Sequence, residues 1–337
     1  CARLFGYNVQ TNIENVKLSG ISYLGAIVGM GYTGTISNCH VSGKVEIAGN
    51  YMVGGINGHG YAKISECSVI GTDKSLDYIK ATHDGNKNEG DNVGGIVGHN
   101  GESNDITNCT VENVTVSGTR KVGGIVGITN MSSDMTGCVV KNIVVETSAT
   151  VEYAEENKKT MSIGGIVGQY QNSGKDGIIA NSTVEGLTFN NVNNVEVSAG
   201  ALAGGLRGTT EVLPPANITA SDVVIKEVIG ATSTYLVVAT IGQNQYSTLQ
   251  EAVNDANNGE EIELVSDVVL EETLVIASGK TIILNLAGYT ISQEKACTQH
   301  YSMILNKGNL TITGNGTISF KDTGAGDPAF GWGSYTV

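Results

Sequence analysis

Glycine and apolar positions recur in a fixed order over the first two thirds of the chain. An apolar residue, two glycines, isoleucine, valine and a final glycine form the consensus of this glycine signature. It occurs at residues 24–29, 53–58, 93–98, 122–127, 163–168 and, in diverged form, 202–208. A second signature, an apolar residue followed by cysteine and then valine, occupies residues 36–41, 64–69, 106–111, 135–140 and, degraded, 180–184. Self-similarity of this kind predicts a repeat architecture whose unit is strand, turn, strand.

The spacing of the glycine signatures predicts the length of one coil. Their first glycines are Gly25, Gly54, Gly94, Gly123, Gly164 and Gly204, which gives spacings of 29, 40, 29, 41 and 40 residues. Because insertions in repeat proteins collect on exposed faces, we expect a coil of about 29 residues with extra loops. These loops are expected at residues 72–91, 147–160 and, less clearly, between residues 186 and 198.

Strand side chains alternate between two faces, so a position that is apolar in every repeat should point inward. The isoleucine of the glycine signature is such a position, with members Ile27, Ile56, Ile96, Ile125, Ile166 and Leu206. The next position is expected to reach solvent, because it accepts Asn57 and Arg207. The cysteine and valine of the second signature are expected to form core ladders. The glycines are expected to supply turns with positive φ and a close approach between coils.

A different pattern starts near residue 234, after Pro214 and Pro215. The sequence Ser247-Thr-Leu-Gln250 predicts a capping box at the start of a short amphipathic helix, at about residues 247–258. The apolar residues of this helix are Leu249, Ala252, Val253 and Ala256, and Gly259 is expected to end it. Short alternating segments follow at residues 261–265, 268–270, 273–276, 281–286, 302–306, 309–313 and 316–319, and they predict strands.

Together these patterns predict an all-β protein. Residues 1–232 form a parallel β-helix (solenoid) of stacked glycine-rich coils. Residues 233–337 form one short capping α-helix and a second, incomplete β-helical segment. Because neither end carries a signal peptide or a closing element, we expect the chain to be an internal piece of a longer protein.

The two signatures resemble the GLUG repeats of bacterial surface proteins, over about residues 12–208. This resemblance implies a large secreted or wall-attached protein, often an adhesin, and it brings no catalytic residues with it. Residues 239–253 and 279–291 resemble the opening of pectate-lyase-like right-handed β-helices in surface proteins of Gram-positive bacteria, where a helix plugs the first coil. Such a helix covers the unpaired strand edges and the exposed core at the end of a stack.

Composition excludes two classes of partner. Only 15% of the residues are charged, and the formal net charge is −14. Without a basic patch the protein has no means of neutralising phosphates, so nucleic acid and anionic membrane surfaces are not expected as partners. The sequence has no run of 18 apolar residues, so no membrane insertion is expected.

Four of the six cysteines fall at one repeat position: Cys39, Cys67, Cys109 and Cys138. Ser182 fills this position in the fifth repeat, which favours simple core packing by free thiols. The alternative is disulfides between coils, Cys39 to Cys67 or Cys109 to Cys138, in an oxidising compartment. Paired cysteine clusters of the kind that bind zinc do not occur.

Two polar columns carry further candidate chemistry. His59 and His99 each follow the last glycine of their signature, so their side chains should stack about 5 Å apart in adjacent coils. They could share a metal, but Ile128 follows in the same column, and an ordinary polar surface column is the favoured interpretation. Asp105 and Asp134 form a similar column, which is expected to hold solvated carboxylates rather than a cation. No metal site and no cofactor are predicted.

The inserted loops are the natural place for ligand binding, because loops on a rigid scaffold tend to carry function. The candidates are Tyr78, His83 and Asp84 in the first loop, and Tyr153 with Glu152, Glu155 and Glu156 in the second. The function expected from these observations is a non-catalytic segment of a bacterial cell-surface protein. It would act as an extracellular stalk or adhesin, a monomer within a larger chain, with host glycan or extracellular protein as partner.

The rival hypothesis is an enzyme that degrades polysaccharides, either a lyase or a hydrolase, since many pectate-lyase-like β-helices have that activity. Glycoside hydrolysis needs two carboxyl groups that face each other about 5 to 10 Å apart. The acidic residues of this chain lie mainly in loops or at unmatched register, and no basic residue accompanies paired acids on a strand. The sequence therefore favours the non-catalytic function.

Overall fold

A computed structural model describes residues 3–83, 90–101, 104–130, 132–157, 160–171, 177–207, 212–213, 218–226, 228–230, 237–242, 244–246, 248–270, 272–293, 303–320 and 335–336. The chain forms two compact units, Cys1–Tyr235 and Leu236–Val337. Each unit is built almost entirely from short strands.

The strands of the first unit are, in chain order, β1 (Arg3–Val9), β2 (Asn12–Ser19), β3 (Ser22–Leu24), β4 (Val28–Ser37), β5 (His40–Gly49), β6 (Tyr51–Gly54), β7 (Asn57–Gly60), β8 (Lys63–Ser65), β9 (Ser68–Ile70), β10 (Tyr78–Ala81), β11 (Asp91–Gly94), β12 (Val97–Asn100), β13 (Ile106–Thr107), β14 (Thr110–Glu112), β15 (Thr115–Gly118), β16 (Arg120–Gly123), β17 (Val126–Asn130), β18 (Met135–Thr136), β19 (Val139–Lys141), β20 (Val144–Thr147), β21 (Ser162–Gly164), β22 (Val167–Gln171), β23 (Gly177–Glu185), β24 (Thr188–Asn191), β25 (Ser198–Gly200), β26 (Ala203–Arg207), β27 (Val212–Leu213) and β28 (Ile218–Lys226). A helix, α1 (Val151–Asn157), lies between β20 and β21.

Most of these strands stack in five parallel ladders, and the chain visits the ladders in the same order in each coil. Strands β1 and β2 precede the first complete coil and pair with β4 and β5, whereas β27 pairs antiparallel with β26. Ladder 1 contains β3, β6, β11, β16, β21 and β25. Ladder 2 contains β4, β7, β12, β17, β22 and β26. Ladder 3 contains β4, β8, β13, β18, β23 and β28; ladder 4 contains β5, β9, β14, β19, β23 and β28; ladder 5 contains β5, β10, β15, β20 and β24. The predicted parallel solenoid is confirmed.

Each signature spans one turn between ladders. The glycine signature joins ladder 1 to ladder 2, and the second signature joins ladder 3 to ladder 4. Val93 pairs with Val122, 29 residues later, whereas Val53 pairs with Val93, 40 residues later. The predicted coil length and the extra residues in the second coil are therefore confirmed.

The alignment predicted for the last glycine signature is wrong by four residues. Gly164 pairs with Gly200 rather than with Gly204, and the Ile166 amide donates to the Leu202 carbonyl at 2.8 Å. Leu202 therefore continues the isoleucine column in place of Leu206. The error arose because alanine occupies position 201 of the true signature, while the glycine pair that follows imitates the consensus.

The position that follows the isoleucine in each glycine signature is buried, although the sequence predicted that it would reach solvent. Its members are Val28, Asn57, Val97, Val126, Val167 and Ala203, and all are at most 2% exposed. Asn57 is thus a buried polar residue in an apolar column, and Arg207 does not belong to this column.

The signature glycines serve close packing alone. A Cβ on Gly54 would overlap the carbonyl oxygen of Asn57, and one on Gly95 would overlap the carbonyl oxygen of Gly124 in the next coil. Neither glycine has a positive φ. Left-handed backbone occurs elsewhere, at other glycines such as Gly137 (φ 66°) and at asparagines such as Asn108 (φ 53°) and Asn142 (φ 49°). Asparagine tolerates this backbone region better than most residues.

The insertions are more ordered than the sequence predicted. We call the loops predicted at residues 72–91, 147–160 and 186–198 the first, second and third insertions. Tyr78 lies on β10, in ladder 5, so the first insertion is divided into two segments by this strand. The second insertion contains α1, a helix that the sequence did not predict beside the single capping helix. Residues of the second and third insertions, with Met161 directly after the second, form a small hydrophobic cluster of their own: Ala149, Tyr153, Ala154, Met161 and Val195.

The second unit contains β29 (Ala239–Ile241), β30 (Asn244–Tyr246), β31 (Glu261–Leu264), β32 (Val268–Val269), β33 (Leu274–Ile276), β34 (Thr281–Asn285), β35 (Thr290–Gln293), β36 (Ile304–Asn306), β37 (Asn309–Thr313), β38 (Thr317–Phe320), β39 (Tyr335–Thr336) and helix α2 (Leu249–Asp255). Three short parallel stacks run through it: β31-β34-β37, β32-β35-β38 and β33-β36.

Helix α2 is the predicted amphipathic helix, and its apolar side is buried. Its capping box is one residue later than predicted, because Thr248 is the N-cap and Glu251 completes the box. Ser247 lies outside the described residues. Gln250 has a different role, since its side-chain amide accepts from the Val275 amide at 2.7 Å and donates to the Val275 carbonyl at 2.9 Å. The helix thereby satisfies the backbone of an adjacent strand.

Candidate ligand-binding surfaces

His59 and His99 are neighbours on ladder 2, as predicted. The two residues pair in the strand register, and their ring centroids lie 4.7 Å apart. Nδ1 of His59 lies 3.2 Å from the carbonyl oxygen of His99, a contact that requires the proton on Nδ1. The predicted stacking is confirmed.

Three tyrosines extend this pair. The ring of Tyr23 lies 5.7 Å from that of His59 and 6.2 Å from that of Tyr51, and the ring of Tyr61 lies 5.5 Å from that of His59. We call Tyr23, Tyr51, His59, Tyr61 and His99 the aromatic ladder. Its members come from three consecutive coils and from both ladder 1 and ladder 2.

The imidazoles of the aromatic ladder are held in the neutral form. Burial lowers the pKa of His99 to about 4, with further contributions from His59 and Lys121. Burial also lowers the pKa of His59, which is 8% exposed. At neutral pH the aromatic ladder therefore presents uncharged rings. Ile128 continues the column beyond His99, and the described residues contain no group of three or more His, Cys, Asp or Glu residues that could hold a metal ion.

A second polar group lies beneath the insertions, around the buried carboxylate of Asp91. Arg120 donates to this carboxylate at 2.7 Å, Tyr153 at 2.9 Å and Thr119 at 3.2 Å, while the Lys121 ammonium lies 3.6 Å away. Asp91 is 1% exposed, so water cannot stabilise its charge. Arg120 and Lys121 compensate this charge inside the protein. This group attaches the second insertion to the coils.

The structure brings together two of the predicted insertion residues. The rings of His83 and Tyr153 lie 4.7 Å apart, which joins the first insertion to the second. Tyr153 is only 7% exposed, and its hydroxyl is bound to Asp91. Tyr78 lies apart from this pair on β10, and Asp84 falls outside the described residues. The acidic residues of α1 point to solvent: Glu152, Glu155 and Glu156.

Asp77 is a fully buried carboxylate that the sequence analysis did not single out. It accepts four hydrogen bonds, from the amides of Val45, Thr72 and Asp73 and from the Thr72 hydroxyl, at 2.7 to 2.8 Å. Burial acts to raise the pKa of Asp77, but these donors outweigh burial and lower the pKa overall. Asp77 therefore fixes the turn that precedes β10.

The cysteine column packs in the core, as the sequence favoured. Cys39, Cys67, Cys109 and Cys138 are free and at most 1% exposed. Burial raises the pKa of Cys138 to about 12. The aspartate column is a backbone cap, since the Asp134 amide donates to Asp105 at 2.9 Å.

The family described as the GLUG motif matches residues 89–119, which span the complete coil from β11 to β15. No curated protein and no solved structure matches the chain. Among the described residues, neither helix is long and apolar enough to cross a membrane.

Proposed function

We propose that this chain is a non-catalytic extracellular segment of a bacterial surface protein, in which a rigid solenoid supports a ligand-binding surface. The observation that carries this proposal is the coil at residues 89–119, which matches a motif of extracellular and surface-type proteins. The same strand pattern continues on both sides of that coil, with six parallel strands in ladder 1. Such stacks give elongated surfaces on which binding residues hold fixed positions.

The buried carboxylates support a non-catalytic role. Asp77 accepts four hydrogen bonds, and Asp91 is bound by Arg120 and Tyr153. A carboxylate with its oxygens occupied in this way serves the framework and is poorly suited to act as a general base or nucleophile. Both groups are explained by the packing of the insertions.

For the second unit we propose a β-helix of the pectate-lyase-like kind. Its three parallel stacks support this assignment, as does helix α2, whose Gln250 pairs with the backbone of Val275. In that arrangement α2 covers a strand edge that would otherwise be open to pairing with another chain.

The test is an array of host glycans and extracellular-matrix proteins, probed with the purified chain in the presence of calcium and again with EDTA. We expect specific, saturable binding to at least one host molecule. A blank array from a folded protein would favour a stalk without a ligand of its own. Turnover of pectin, alginate or mucin glycans would contradict the proposal and support the polysaccharide-degrading alternative.

A further inference from the structure

We infer that the aromatic ladder is a binding site for an uncharged sugar chain. This inference rests on the proposed function and names the site and the ligand class. Five rings from three consecutive coils form one connected cluster around His59, with centroid separations from 4.7 to 6.2 Å. No other cluster of ring contacts of this size occurs among the described residues.

The aromatic ladder is built on fixed backbone. The Tyr61 amide donates to the Gly31 carbonyl at 2.8 Å, and the Gly101 amide donates to the Gly60 carbonyl at 2.8 Å. The Tyr61 ring lies over Gly101, where a Cβ would overlap it. A ligand would therefore meet rings that are already positioned, so little conformational entropy would be lost on binding.

The chemistry of the aromatic ladder suits a pyranose. Aromatic faces pack against the apolar C–H face of a sugar ring, while phenol and imidazole groups can bond its hydroxyls. His59 uses Nδ1 toward His99 and has no partner for Nε2 among the described residues, so Nε2 can accept a bond from a sugar hydroxyl. Tyr61, at 36% exposed, provides the most open ring of the cluster.

Charge selects an uncharged sugar over an acidic one. Arg120 and Lys121, whose charges act on Tyr51 and His99 respectively, are both paired with Asp91. The histidines are neutral at physiological pH. With strands spaced about 4.8 Å apart, three coils span roughly 10 Å along the stack, enough for a short run of sugar units.

The experiment titrates the full chain with cellohexaose, maltohexaose and chitohexaose by isothermal calorimetry. We expect at least one hexaose to bind, and we expect Tyr61→Ala to weaken that binding about tenfold. Tyr61→Phe should retain most of the affinity, because the ring face remains. Tyr289→Ala is the matched control, because Tyr289 is similarly exposed, at 37%, but belongs to the second unit. The Tyr289→Ala variant should bind the hexaose with the affinity of the wild type.

The outcomes separate this inference from the proposed function. If the array finds a ligand but none of the hexaoses binds, the sugar assignment is wrong and the adhesive function stands. If a hexaose binds Tyr61→Ala and Tyr23→Ala as tightly as it binds the wild type, the aromatic ladder is not its site. If both the array and the hexaoses give no binding, both proposals fail. Circular dichroism of each variant verifies the fold.

Discussion

At the scale of single residues, Asn57 is a polar side chain placed where the coil needs an apolar one. It is 1% exposed, and neither its amide nitrogen nor its amide oxygen has a hydrogen-bond partner among the described residues. The neighbouring coils place Val28 and Val97 at the same position. A buried polar group without a partner loses its hydration and gains nothing in exchange.

We predict that Asn57→Val stabilises the first unit by about 1 to 3 kcal/mol. Urea denaturation followed by circular dichroism measures the change in midpoint. The reciprocal variant Val97→Asn is the control and should shift the midpoint in the opposite direction. A lower midpoint for Asn57→Val would show that the amide has a favourable contact that its present geometry does not reveal.

Asp77 makes the stability of the first unit depend on pH. Its pKa is lowered in the folded state, so the unfolded chain takes up the proton first as the pH falls. The ionised Asp77 therefore makes its full contribution to the free energy of unfolding above its pKa in the unfolded chain, near 4. This contribution is lost as the pH falls through its lower pKa in the folded state. We predict that Asp77→Asn is less stable than the wild type at pH 7 and that the difference narrows below pH 4. Thermal denaturation between pH 7 and pH 3 measures this, and an unchanged difference over that range would contradict it.

At the scale of elements, α1 is attached to the coils by a buried ion pair. Asp91 binds Arg120, and Arg120 in turn donates to Asn157 and Thr160 at the end of the second insertion. Removing one partner of a buried pair leaves the other charge without compensation. The ion pair thus links the stability of the insertion to that of the stack.

We predict that Asp91→Asn destabilises the first unit by about 3 to 5 kcal/mol and exposes the insertion at residues 147–160 to protease. Limited proteolysis with mass spectrometry identifies the cleavage sites. Glu46→Gln is the control, because Glu46 pairs with two exposed lysines, Lys17 and Lys44. Its effect should be below about 1 kcal/mol. Equal protection of the insertion in the Asp91→Asn variant and the wild type would exclude this anchoring role.

The elements also show what the sequence could predict. The strands, the coil length and the cysteine core followed from periodicity, because the same physical requirement acts in each coil. Helix α1 did not follow, because it is short and depends on tertiary contacts of Tyr153 rather than on a pattern of its own. The aromatic ladder was found only in part. His59 and His99 share a column, whereas Tyr23 and Tyr51 lie on ladder 1. The contact of Tyr23 with His59 joins two ladders, and the repeat pattern does not encode such a contact.

At the scale of the whole first unit, stability depends on the contact between neighbouring coils. Gly95 and Gly124 occupy the same position in successive coils, where the two backbones are in close contact. A Cβ on Gly95 would overlap both the Gly124 carbonyl oxygen and the buried Val111 side chain. We predict that Gly95→Ala destabilises the stack by about 1 to 3 kcal/mol, because the new methyl group forces the next coil away. Amide hydrogen exchange should be faster in β11, which directly precedes the substitution, and in β16 of the next coil.

The control is Ala201→Gly, which removes a methyl group at the equivalent position of the last signature. It should leave exchange in β11 and β16 unchanged. Normal protection in the Gly95→Ala variant would mean that the coils can separate slightly without loss of their hydrogen bonds.

The four free thiols in the core have a mechanical consequence. Because Cys39, Cys67, Cys109 and Cys138 form no cross-links, a tensile load applied along the chain is opposed in this column only by non-covalent contacts. The coils can then peel away one after another, and each released coil of 29 residues adds about 100 Å of extended chain. Refolding requires no oxidation chemistry, so a first unit stretched in this way would act as a reversible extensible tether.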